Sequence, residues 1–136
     1  MKVFADANVL VGAVATRGLC ADALREILTS HHLVLSRQVL EEVGRALRVK
    51  LRVPHEEVVS LVRLLEDEAT MAVPDPIPEV DIEDKDDLPI LAAAIASGSH
   101  VFVTGDRELL ELGQVQGVRI LPPRQFWEML RARRPR

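Results

Sequence analysis

Apolar residues fall into two alternating patterns along this chain: short, wholly apolar runs, and stretches where apolar positions recur every three or four residues. The first pattern marks strands buried on both faces, and the second marks amphipathic helices. Lys2–Ala5 is the first short run and predicts a strand. A small-residue polar turn follows, and helix is expected to resume by about Val9. Residues 19–28 carry Leu19, Ala23, Leu24, Ile27 and Leu28 at helical spacing, and His31 and His32 end that helix. Leu33, Val34 and Leu35 predict a second strand. Ser36 suits the N-cap of the next helix, whose stripe is Val39, Leu40, Val43, Ala46 and Leu47. Pro54 suits the first turn of another, with Val58, Val59, Leu61, Val62 and Leu65 on its apolar side.

Residues 70–73 predict a third strand. Pro74, Pro76 and Pro78 then exclude helix interior and mark a surface connection, not a domain linker, because the rest of the chain needs the same core. Residues 84–87 open an Ala- and Ile-rich helix that runs to Ser97, with Gly98 as its stop. Val101, Phe102 and Val103 predict a fourth strand, Arg107–Leu112 a short helix, and Val118, Arg119 and Ile120 a fifth strand. Pro122 and Pro123 lead into a last amphipathic helix with Phe126, Trp127 and Leu130. The alternation predicts an α/β fold, a mostly parallel sheet of about five strands covered on both faces. It is read as one domain over residues 1–136, with a basic tail at 131–136.

Composition narrows the function. Three Phe, one Trp and no Tyr among 136 residues exclude a base-stacking platform of interleaved aromatics. Lys and Arg number 17 against 21 Asp and Glu, a net charge of −4, which is not the balance of a protein that coats duplex DNA. A small basic groove remains compatible with it. The single cysteine, Cys20, excludes an intramolecular disulfide and a cysteine-rich metal site, and fits a reducing cytosol. No signal-peptide pattern and no apolar run of about 18 residues is seen, so a cytoplasmic protein without a membrane span is expected.

The ligand crevice of a parallel sheet lies beyond the carboxyl ends of its strands. Asp6 directly follows the first strand, and Asp106 follows the fourth after Thr104 and Gly105. If those strands are neighbours, both acids face one crevice. Asp87, at the start of the helix feeding the fourth strand, and Glu42, on the helix after the second, would join them if both helix segments face the same way. Four clustered carboxylates cannot all stay ionised uncompensated. A hard divalent cation resolves this: Mg²⁺ and Mn²⁺ prefer oxygen ligands and keep several waters. His31, His32, His55 and His100 lack the spacing of a zinc motif. Each acid also has a local explanation. Asp6 or Asn8, Asp106, and one of Asp84, Asp86 and Asp87 all suit helix N-termini, and Glu42 beside Glu41 suits a solvated helix face.

Four segments carry a resemblance: residues 4–10 with Asp6 and Asn8, residues 36–47 with Glu42, residues 87–94 beginning at Asp87, and Val103-Thr104-Gly105-Asp106. In this order and spacing the sequence resembles a PIN-domain ribonuclease, in particular the small single-domain proteins related to VapC toxins and the PilT N-terminus. The resemblance implies a three-layer α/β/α sandwich and Mg²⁺- or Mn²⁺-dependent hydrolysis of RNA phosphodiester bonds leaving a 5′-phosphate. It matches Asp6, Glu42, Asp87 and Asp106 to the catalytic acids, with Asp6, Asp87 and Asp106 at the metal and Glu42 on a metal-bound water. Asn8 and Thr104 match supporting polar positions. Asp84 and Asp86 are the alternatives to Asp87, and Glu41 to Glu42. A homodimer and an antitoxin partner are implied in the same way.

Two basic segments are candidates for RNA phosphate: Arg45 and Arg48, continued by Lys50 and Arg52, and Arg131, Arg133, Arg134 and Arg136 at the terminus. Two rival readings remain. A haloacid-dehalogenase-type phosphatase needs a second Asp two residues after the first, where this chain has Asn8, and a well-placed Lys, for which Lys85 is the sole late candidate. A PIN scaffold that binds RNA without turnover keeps the same fold, because fold does not fix function.

Overall fold

The computed structural model describes residues 1–133. Its first strand, β1 (Lys2–Ala5), is buried from Val3 onward and pairs in parallel with both of its neighbours. On one side lies β2 (His32–Ser36), and beyond it β3 (Thr70–Ala72). On the other side lies β4 (Val101–Val103), which pairs in parallel with β6 (Val118–Leu121). A two-residue strand, β5 (Gln114–Val115), closes that edge antiparallel to β6. The sheet order is therefore β3-β2-β1-β4-β6-β5.

The sixth strand is a departure from the expected five. Gln116 and Gly117 both take positive φ, 45° and 86°, and form a two-residue hairpin turn of the twist that adjoining strands favour. A strand of two residues carries no periodicity for a sequence reading to detect.

The helices follow the expected spacing, with shifted ends. α1 (Ala7–Ala15) begins earlier than expected, because Asp6 caps it. α2 (Leu19–Ser30) ends before the His pair, and His32 already belongs to β2. α3 (Arg37–Arg45) is capped by Ser36, whose Oγ accepts the Val39 N–H, and it widens into one π turn over Ala46–Lys50. α4 (His55–Glu68) starts after Pro54, α5 (Asp87–Ala96) after the proline-rich connection. Gly98, at φ +70°, takes the left-handed position just past α5. α6 (Arg107–Leu112) and α7 (Pro123–Arg133) complete the chain.

The direction of travel sets the layers. From β1 to β2 to β3 the chain moves one way across the sheet, and from β3 to β4 it moves back. Parallel crossovers are right-handed almost without exception, so the helices α1 to α4 and the helix α5 cover opposite faces. Consistent with this, α1 packs on α2 and α3, α3 on α4, α7 on α2, and α5 on β2 and β3. The layers enclose an aliphatic core around Phe4, Phe102 and Phe126, with the Phe4 and Phe102 rings edge to face at 5.2 Å. This is the mostly parallel α/β architecture expected of a PIN fold. Among the described residues, no single helix is long and apolar enough to cross a membrane.

Candidate active site

The order of the strands reverses between β1 and β4, and a crevice opens there beyond their carboxyl ends. Ala5 and Val103 are register partners, so the next residues, Asp6 and Thr104, leave the sheet side by side. Backbone bonds extend the ladder past both strands: Asp6 N–H donates to the Val103 carbonyl, and Thr104 N–H to that of Leu121. Asp6 is only 8% exposed. Its Oδ1 accepts the Ala7 N–H at 2.8 Å, which caps α1, and its Oδ2 accepts the Thr104 hydroxyl at 2.6 Å. Burial pushes its pKa up, the two hydrogen bonds pull it down, and the Asp106 charge adds to the rise. Thr104 Oγ1 also accepts the Asp106 N–H, and Asp106 Oδ1 caps α6 through the Glu108 N–H. The capping explanation of Asp6 and Asp106 is thus correct, and it coexists with their meeting in one crevice.

Asp87 faces them from the first turn of α5. Its pKa is pushed up to about 7, first by burial and then by the charges of Asp84, Asp106, Asp6 and Glu42. Its Oδ2 is buried and has no hydrogen-bond partner. Leaving such an oxygen without a donor costs free energy unless something positive meets it. Asp86 lies exposed, and the Asp84 carboxylate accepts the Asp86 N–H. Asp84 is near enough to raise both Asp87 and Glu42, whereas Asp87 is the acid of this run that faces all three others.

Glu42 is half-buried on α3, and its pKa is raised by burial and by the Asp6 charge. The Gln38 amide and the Arg45 guanidinium act against that rise. Glu41 is exposed and turns toward a different groove, described below. The four acids expected from the sequence therefore influence one another electrostatically, although their chain positions span a hundred residues.

A family model for the PIN domain matches residues 2–108. The chain belongs to the PIN-domain family. Among solved structures, a chain in the crystal structure of VapBC2 from Rickettsia felis, bound to a DNA fragment from their promoter, superposes on this PIN domain with a TM-score of 0.64. The match covers 88% of this chain and 97% of that one at 16% identity, a likeness of fold. No curated protein matches the sequence.

The crevice of the PIN domain suits a hard divalent cation by its chemistry. All its donors are carboxylate oxygens, they repel one another, and one buried oxygen lacks a partner. Among the described residues no three His, Cys, Asp or Glu side chains close around a single point tightly enough to wrap an ion.

Other expected positions are more scattered. Asn8 is exposed on the first turn of α1, and among the described residues it makes no hydrogen bond to the four acids. Arg45 and Arg48 are exposed and line a groove of about 720 Å³ between α3 and α4, floored by Leu40, Gly44, Val59 and Val62. None of the four acids lines this groove, but Arg45 is near enough to act on Glu42. Of the α4 stripe, Val58 and Leu65 are core, while Val59 is 39% exposed. Arg131 is exposed at the end of α7. The Arg133 side chain, Arg134 and Arg136 lie outside the described residues.

Two residues at the crevice were not anticipated. Gln38, one turn before Glu42, donates from Nε2 to the Asp86 carbonyl at 2.8 Å and lies 3.5 Å from Glu42 Oε1. Glu108, two residues past Asp106, accepts the N–H groups of Glu83 at 2.7 Å and Asp84 at 3.3 Å. Their spacing from known acids was visible in the sequence, but neither side chain's target was.

Proposed function

We propose that this PIN domain is a metal-dependent ribonuclease of the VapC type, hydrolysing RNA phosphodiester bonds. The observation that carries the reading is Asp87: a buried, partnerless carboxylate oxygen among three further acids at the switch point of a parallel sheet. Asp6, Asp87 and Asp106 would hold Mg²⁺ or Mn²⁺, one or two of them directly and the rest through its bound waters. When bound, the ion would neutralise the acids, acidify a water and stabilise negative charge on the phosphoryl group.

The chain's own residues do the rest. Thr104 holds Asp6 and the Asp106 backbone in one arrangement, so the carboxylates need no reorganisation on binding. Glu42, with a raised pKa, takes up the proton of the attacking water at its carboxylate. Arg45, beside Glu42, positions an RNA phosphate, with Arg48 further along the same segment. The 3′ oxygen departs in line and takes its proton from solvent water to leave as a 3′ hydroxyl, and the other product carries a 5′-phosphate. An antitoxin partner belongs to the same reading, supported by the fold shared with a chain of the VapBC2 complex, and a homodimer and a cytoplasmic location are proposed with it.

The test uses purified protein, labelled single-stranded RNA, and Mn²⁺, Mg²⁺ or EDTA, alongside Asp106→Asn. Cleavage that needs metal and is lost in the variant is expected. An Asp106→Asn protein that cuts as well as wild type refutes the site. Metal binding without cleavage of any RNA moves the reading to the non-catalytic scaffold.

A further inference from the structure

Between β3 and α5 the chain runs from Val73 to Asp86 with neither helix nor strand, and Asp87 is the first helical residue after it. Residues 83–87 include four acids, and they sit against a crevice that holds three more. Like charges at this spacing repel, so the segment is driven outward unless something holds it from the flanks. Ile82, 2% exposed, plugs the core just before it. Past that plug, two side chains from other elements grip the backbone.

From α6, the Glu108 carboxylate accepts two successive backbone N–H groups, those of Glu83 and Asp84. From α3, the Gln38 amide donates to the Asp86 carbonyl. One amide nitrogen carries two hydrogens, so Gln38 can serve the Asp86 carbonyl and the longer contact to Glu42 together. Each residue sits on the same helix as one of the crevice acids: Gln38 one turn before Glu42, and Glu108 two residues after Asp106. The segment is thus tied at both ends to α3, which carries Glu42, and to α6, which Asp106 caps.

We propose that Gln38 and Glu108 are positioning residues, which fix the segment 83–86 and thereby set the Asp87 carboxylate against Asp6, Asp106 and Glu42. The proposal rests on the ribonuclease reading for its functional consequence, and on the backbone contacts alone for its structural one. Glu108 touches none of the reacting atoms, and Gln38 reaches only the Glu42 carboxylate, at 3.5 Å.

The test uses the full chain with Gln38→Glu and Glu108→Gln, both nearly isosteric. Gln38→Glu removes both donors and sets a carboxylate against the Asp86 carbonyl. Glu108→Gln turns an amide N–H₂ toward one of two backbone N–H groups. Three readouts are compared with wild type: amide hydrogen exchange at residues 83–88 in EDTA, Mn²⁺ affinity by calorimetry, and kcat and KM for single-stranded RNA. Exchange at 83–88 is expected to speed up about tenfold while β1 and β4 keep their protection. In Glu108→Gln, Mn²⁺ binding is expected to weaken about tenfold, the lower end for residues that orient metal ligands from outside, with kcat reduced and KM for RNA nearly unchanged; in Gln38→Glu the added carboxylate beside Glu42 attracts the cation, so exchange at 83–88 is the deciding readout there.

Unchanged exchange at 83–88 in both variants overturns the proposal, whatever the activity. Exchange that rises across the whole protein overturns it too, since the two residues then support the fold generally. If Glu108→Gln does not fold, Gln38→Glu carries the exchange readout. A wild-type chain that neither binds Mn²⁺ nor cuts RNA refutes the ribonuclease reading instead, and the exchange data still decide whether the two side chains hold the segment.

Discussion

At the scale of single residues, the chain shows a conflict between burial and charge, concentrated at Asp87. A carboxyl with its pKa pushed up to about 7 stays partly protonated where an ordinary Asp is ionised. Because the folded form binds that proton more tightly than the unfolded chain, the contribution to stability is complete below the ordinary Asp range. It is lost as the pH rises through about 7. The rises at Asp6 and Glu42 have the same sign. Metal-free protein should therefore lose stability as the pH rises from the ordinary Asp value of 3.8 through about 7. The carboxyl is partly exposed, so the full shift is discounted to roughly 1–2 kcal/mol, or about 5 °C in Tm. Asp87→Asn should flatten this profile and raise Tm at pH 8 in EDTA. Thermal melts at several pH values check it, and an identical profile in wild type and variant would falsify the account. Asp6 and Asp106 were legible because one follows an apolar run directly and the other follows one after Thr104 and Gly105. Gln38 and Glu108 were not legible, since their partners are backbone groups about fifty and twenty-five positions away.

At the scale of elements, periodicity predicted most of the helices and strands to within a few residues. The misses have local causes. Asp6 caps α1 and starts it at Ala7, a shift that hydrophobic spacing does not register. The π turn over Ala46–Lys50 closes α3 with wider hydrogen bonds, Leu51 N–H to the Ala46 carbonyl among them. It leaves Leu47 buried and Arg48 exposed beside Arg45. That placement makes this element the candidate phosphate track. Replacing Arg45 and Arg48 together by Ala should weaken RNA binding and make the slope of log K against log salt less negative by about 1.4, two single-strand phosphate contacts. Binding titrations over a range of salt measure that slope. A slope equal to that of wild type removes both residues from the RNA interface. The ion pair between Arg37 and Glu66, which ties α3 to α4 at 3.1 Å, is exposed and adds little to stability.

At the scale of the whole molecule, the crevice exists because the chain reverses direction across the sheet, which makes β1 and β4 neighbours. A cation bound only by the folded arrangement stabilises it by about 2.7 kcal/mol at a hundredfold excess over Kd. Mn²⁺ should therefore raise Tm in wild type and lose that effect in Asp6→Asn, where the acid at the end of the central strand is neutral. A melt indifferent to Mn²⁺ would remove the metal from the reading. Sedimentation equilibrium at micromolar concentration addresses the homodimer, and a monomer there counts against it. By itself the sequence determined the fold class, the strand and helix periods, and the placing of Asp6 and Asp106 beyond strand ends, because these depend on neighbours a few residues apart. Only the tertiary structure decided which acid of the 84–87 run faces the others, that Asn8 is exposed with no hydrogen bond to them among the described residues, and which side chains grip the 83–86 segment. Those outcomes depend on strand order and on backbone groups brought together from distant parts of the chain, which no local pattern encodes.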